Sequence, residues 1–177
     1  MVDCMDIATG IVEALKFIFP AYCANAVPVI AGGGRPMDFG KNFFDGKPVL
    51  GKNKTFRGFF FGLAVGIFVG LVESLVLSYP FPFSVLFSVL SPLGALIGDL
   101  AGAFLKRRLG ITPGSLLPVV DQIDFVVGAI LFSLPFFPLP LPMTYWELAI
   151  AVIIITPPIH LLTNFLAYKL KLKKNPW

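Results

Sequence analysis

Charge is what this sequence has least of. Asp, Glu, Lys and Arg make up 14% of its 177 residues, against roughly 25% in soluble domains. So few charges cannot cover the surface of a soluble fold this small, and a soluble globular class is excluded. There are two cysteines. Cys4 and Cys23 form neither a CxxC motif nor a disulfide framework, so both are read as packing residues. The segment MVDCMDIATG carries two acids and no basic n-region, so no cleavable signal is expected. No internal repeat or linker stands out, and residues 1–177 are expected to form a single transmembrane domain.

What is present is apolar. Hydrophobic residues make up 56% of the chain, 19 of them Phe, and the mean hydropathy is +0.85. Five apolar runs, 8–30, 59–77, 83–105, 119–137 and 146–168, are each close to the ~20 residues that span a hydrocarbon core. Lipid cannot satisfy open backbone groups, so helices are expected. The fold class is therefore an all-α integral membrane protein with five transmembrane helices.

The basic residues are not scattered. Of the 14, all but Lys16 fall in three clusters. Arg35, Lys41, Lys47, Lys52, Lys54 and Arg57 form the first, Lys106, Arg107 and Arg108 the second, and Lys169, Lys171, Lys173 and Lys174 the third. The connections at 79–82 and 138–145 carry no charge. The positive-inside rule then puts loops 31–58 and 106–118 and the C-terminus in the cytoplasm, with the N-terminus outside.

Three carboxylates interrupt the apolar runs. Asp99 lies about 10 Å from the cytoplasmic end of the third helix, counting 1.5 Å per residue. Asp121 and Asp124, three residues apart, share a face at the start of the fourth. A short loop joins these helices, so the three acids are expected at similar depth. The plain reading is salt bridges to Lys106, Arg107 or Arg108, or acids at a helix N-terminus. Charges inside spans are costly and usually functional, and three like charges need a counter-ion. Oxygen-only ligands favour Mg2+ or Ca2+ over Zn2+. The basic first loop, with Gly32 to Gly34, Asn42, Asn53 and Thr55, then suggests a polyphosphate site. The plain alternative is a basic loop touching anionic headgroups.

Residues 46–53, GKPVLGKN, fall one residue short of a P-loop. A Walker fold is rejected: Asn53 replaces the Ser/Thr, Pro48 sits mid-loop, and membrane spans replace the βαβ unit. His160 reads as a hydrogen-bonded packing residue, with lipid-phosphate contact as the alternative. Glu13 and Lys16, within a turn of each other, are placed to pair. Neither they nor Glu73 is assigned a role.

Gly98-Asp99, Lys106-Arg107 and GITPGSLLPVVDQID (110–124) together resemble the signature of the CTP-dependent phosphatidate cytidylyltransferases. Asp121-Gln122-Ile123-Asp124 matches that family's D-R-x-D element with Gln for Arg. Its Pro-Gly-His-Gly-Gly element is absent, and Leu117-Pro118-Val119 stands there instead. The loop DFGKNFFDGKPVLGKNKTFRG is similar to the archaeal branch, the CDP-archaeol synthases, and the likeness runs along nearly the whole chain. The resemblance implies CTP and an isoprenoid ether-lipid phosphate, 2,3-bis-O-geranylgeranylglycerol 1-phosphate, as substrates, with Mg2+ required and the plasma membrane as location. It implies Asp99, Asp121 and Asp124 as metal and catalytic residues, with Lys106. Lys52, Lys54, Thr55 and Arg57 match its loop element, and Lys41, Asn42 and Asn53 are added as nucleotide contacts. Membrane lipids are expected partners, nucleic acid is not, and oligomeric state is left open. Two other readings are weighed. A CDP-alcohol phosphotransferase would need D-G-x-x-A-R, but Asp45-Gly46 runs on into Lys47-Pro48-Val49-Leu50. A cation channel or transporter would use the carboxylates as an ion path.

Overall fold

A computed structural model describes residues 7–112, 115, 117, 119–138 and 143–173. Among them the regular elements are helices: α1 (Ile7–Ala31), α2 (Phe56–Val76), α3 (Phe83–Arg108), α4 (Val120–Ser133) and α5 (Tyr145–Lys169). All five expected runs are helical. α1, α2, α3 and α5 are long and apolar enough to cross a membrane. α4 is shorter: its 14 residues reach about 21 Å. Pro135 lacks an N–H, and the chain tightens into a 3-10 turn at Leu134–Phe136.

The helices approach closely because two of them carry a glycine every fourth residue. On α2 these are Gly58, Gly62, Gly66 and Gly70, all buried. They face the Pro20–Pro28 stretch of α1, and Ser88, Pro92 and Leu96 of α3. On α3, Gly94, Gly98 and Gly102 face α4. A Cβ at Gly128 of α4 would lie 2.0 Å from the carbonyl oxygen of Gly94, so these backbones touch directly. Lipid offers no hydrophobic drive between helices, and small-residue faces of this kind let dispersion hold them together. Polar side chains add bridges. Tyr22 and Thr156 join α1 to α5 at 2.9 Å, and Ser74 and Ser88 join α2 to α3 at 3.1 Å.

The aromatic core sits at one end of the bundle. Phe17, Phe87 and Phe137 are fully buried, with ring centroids 5.1–5.8 Å apart. Lys16 and Glu13 pair as expected, at 2.5 Å. The basic clusters gather at the opposite end, and the site is there.

Candidate active site

The first loop is a folded ribbon. Pro36 bridges Thr55, and Asn42 bridges Pro48, in antiparallel sense. Asp38 ties it together. Its carboxylate accepts from the backbone N–H groups of Gly40 (2.9 Å), Leu50 (3.0 Å) and Gly51 (2.7 Å). Burial alone would raise this carboxyl, but the three amides outweigh burial and hold it below the usual aspartate range. Sequence reasoning passed Asp38 over. The available signal was Asp-x-Gly, the pattern of a side chain capping its own turn.

Arg108 fastens the ribbon to the end of α3. Its guanidinium donates to Asp45 Oδ1 at 2.8 Å and to the carbonyl of Pro48 at 2.5 Å. It also stacks over the rings of Phe43 and Phe104. Lys47 Nζ returns a bond to the Arg108 carbonyl at 2.9 Å. The GKPVLGKN segment therefore spends its first lysine on architecture, and it precedes a membrane helix rather than completing a βαβ unit.

Thr55 closes the loop as the N-cap of α2. It is buried, and its hydroxyl accepts from Gly58 N at 3.2 Å. Lys54, just before it, is thereby aimed at α3. Its Nζ reaches Asp99 Oδ1 and Oδ2 at 2.6 and 2.5 Å. Lys106, in the last turn of α3, holds both oxygens of Asp121 at 2.8 and 2.7 Å, and also the Ser115 carbonyl at 2.6 Å. The backbone N–H of Leu117 donates to Asp121 as well, at 2.9 Å. Both ion pairs are mostly buried.

Asp124 lies against α3. A Cβ at Gly102 would fall 2.0 Å from its Oδ2, so glycine there makes the space the carboxylate fills. Phe125 N donates to its Oδ1 at 2.7 Å. The chain enters α4 through Val119, at φ 68° and ψ −53°. For a β-branched residue this is strained, costing about 1–3 kcal/mol, and the strain stands two residues before Asp121.

The structure thus brings Asp99, Asp121, Asp124, Lys54 and Lys106 to the basic end of three neighbouring elements. The counter-ions it gives Asp99 and Asp121 are lysines. Among the described residues, no three acid, imidazole or thiol side chains form a metal cage. Lys41, Asn42, Lys52, Asn53 and Arg57 are exposed on the ribbon and at the start of α2, with no side-chain partner among the described residues.

One buried cation, Arg107, is under-bonded among the described residues. Arg107 is only 5% exposed, yet its Nε and Nη1 make no hydrogen bond among the described residues. Asp121 is near enough for its charge to act on this guanidinium, but buried N–H groups without acceptors are costly, and an anionic ligand would remove that cost. In the sequence, Arg107 was hidden inside a Lys-Arg-Arg run.

Membrane helices that close into a core at one end, and hold paired acids and lysines with an under-bonded buried arginine at the other, mark out an intramembrane enzyme with a site for anionic groups. The comparisons specify it further. Residues 7–177 match the CarS-like family, CDP-archaeol synthase. Curated CDP-archaeol synthases of Methanococcus maripaludis (strain C5) and Pyrococcus furiosus are 45% and 44% identical. The alignments cover 98% of this chain and 100% of the first relative, and 94% and 98% for the second. A solved structure of an intramembrane enzyme of archaeal membrane lipid biosynthesis superposes with a TM-score of 0.76 at 38% identity. That match covers 87% of this chain and 94% of the other. The chain belongs to the CDP-archaeol synthase family. The channel reading is not supported: Asp99 and Asp121 are closed off by lysines, and the relatives are synthases.

Proposed function

We propose that this protein transfers the cytidylyl group of CTP to the phosphate of 2,3-bis-O-geranylgeranylglycerol 1-phosphate at the cytoplasmic face of the plasma membrane. The observation that carries the reading is the convergence of Asp99, Asp121, Asp124, Lys54 and Lys106 at one end of the bundle in a chain of this family.

The nucleotide triphosphate lies across the end of α3 under the ribbon. Lys52 and Arg57 meet it from the exposed side, and Arg107 from below. Lys54 and Lys106 are held ready by their aspartates and move onto phosphate oxygens as these arrive. The lipid phosphate is largely dianionic at neutral pH, with a second pKa of roughly 6, so it needs no protein nucleophile or base. One of its oxygens attacks the α-phosphorus of CTP. A new P–O–P bond forms, the α–β phosphoanhydride breaks, and pyrophosphate leaves with the bonding electrons. The residues contribute position and charge.

The donor set fits Mg2+. All three acids offer oxygen, and Mg2+ commonly takes one or two carboxylates and leaves the rest of its shell to phosphates and water. Asp99 and Asp124 would hold it, with Asp121 beside them. Bound there, Mg2+ supplies neutralisation of the phosphate charge.

Purified protein in detergent, given CTP and the lipid phosphate, is expected to form the CDP-lipid only when Mg2+ is present. Turnover that survives chelation of divalent ions would refute the metal assignment.

A further inference from the structure

The reaction brings two anions together, and the ribbon accounts for only one. The second, the lipid phosphate, keeps its chains in the bilayer and must approach at headgroup depth. The ribbon covers α2 and α3. The other flank of the acids is α4, α5 and the C-terminal tail.

On that flank the tail turns back. Lys171 adopts φ 59°, and the backbone N–H groups of Leu172 and Lys173 both donate to the carbonyl of Ala167, at 2.9 and 3.3 Å. The chain therefore reverses after α5, and Lys173 returns along it. Lys173 Nζ donates to Asn164 Oδ1 at 2.9 Å. Asn164 Nδ2 lies 3.2 Å from His160 Nδ1. It lies 3.3 Å from Nε2 as well, and the amide N–H donates to whichever ring nitrogen carries no proton. The His160 ring packs 5.9 Å from the ring of Phe125, the residue after Asp124. A tail lysine is thus linked, through two α5 side chains, to the helix that carries the acids.

Lys173 is half-buried. Its ammonium is pushed below the ordinary lysine range by burial first, and then by the charges of Lys54 and Lys106, against the pull of Asp121. Lys54 and Lys106 are therefore near enough for their charges to act on Lys173. Tyr168, Lys169, Lys171 and Lys173 line an open cleft of about 370 Å³ at this end of α5. Cations brought together in this way repel each other and favour an anion between them.

Resting on the cytidylyltransferase reading, we infer that Lys173, positioned by Asn164 and His160, binds the phosphate of the lipid substrate, while the ribbon lysines serve CTP. The tail closes the lipid side of the site and brings the acceptor phosphate up to the α-phosphorus from the flank opposite the ribbon.

Steady-state kinetics with 2,3-bis-O-geranylgeranylglycerol 1-phosphate in mixed micelles tests this. Lys173→Met is expected to raise KM for the lipid phosphate at least tenfold and leave KM for CTP within twofold, with Lys173→Arg restoring most of the difference. Asn164→Ala is expected to raise the same KM by a smaller factor. Binding gives a second readout. Without CTP, the lipid phosphate should raise the melting temperature of the unmodified protein and not that of Lys173→Met, whereas CTP should stabilise both. A rise confined to KM for CTP, or no change in either KM, would overturn the assignment. An unmodified protein that forms no CDP-lipid at all would instead refute the cytidylyl transfer on which the assignment rests.

Discussion

Asp38 and Asp124 show how differently one residue type can be used in one chain. Asp38 is a structural acid, its negative charge met by three backbone amides. Its carboxyl is held below the usual range, so its contribution to stability is present above the unfolded aspartate pKa of about 3.9 and is lost as pH falls through the lower folded value. The melting temperature in detergent should therefore drop between pH 5 and 3, and Asp38→Asn should flatten that drop. Hydrogen bonds to a charge contribute roughly 1.5–3 kcal/mol each, so Asp38→Asn at pH 7 should also lose about 2 kcal/mol or more. Asp124 has one local amide and a glycine-shaped recess, which is little support for a charge unless it has work to do. Asp124→Asn should fold and lose turnover by about 100-fold, on the scale of removing one preorganised electrostatic group. Lys106→Met should behave otherwise, because it removes the cation bonded to both oxygens of the mostly buried Asp121. It is expected to cost about 3 kcal/mol of stability as well as activity, and a melting curve separates the two cases.

At the scale of elements, the glycine faces of α2 and α3 decide how near the acids come to one another. Gly102→Ala would put a methyl group where Asp124 Oδ2 lies, and the carboxylate must turn away. Overpacking of this kind costs about 1–3 kcal/mol, but activity should fall further than stability does. Gly66→Ala, which meets Pro92 and Ala24 in the far part of the bundle, should destabilise without that excess loss of activity. Paired melting and turnover measurements on the two variants check the difference. The helices themselves were legible in the sequence because apolar runs and basic clusters mark their ends. The run at 83–105 became Phe83–Arg108, and that at 146–168 became Tyr145–Lys169. α4 was not legible in full, because a run of apolar residues does not show that Pro135 will tighten it. The spacing of four between glycines was present in the sequence and went unread.

Across the whole molecule, the site was legible to the extent that its residues contradict their surroundings. Asp99, Asp121 and Asp124 stand out as charges in apolar runs. Lys54 and Lys106 stand at the ends of those runs, and the structure joins them to Asp99 and Asp121. Arg107, Asp38 and Lys173 do not stand out. Each is one charge among others in a basic or polar stretch, and only the fold buries it or turns it inward. The orientation of the bundle has its own test. A cysteine at Lys52, in a background lacking Cys4 and Cys23, should react with a membrane-impermeant thiol reagent only in inside-out vesicles, and one at Trp146 only in right-side-out vesicles. The reverse pattern would invert the topology. The central claim concerns which phosphorus the lipid phosphate attacks. CTP labelled at the α-phosphorus should place its label in the lipid fraction, and CTP labelled at the γ-phosphorus should place it in pyrophosphate. Label from the γ-position in the lipid, or none from the α-position, would contradict cytidylyl transfer.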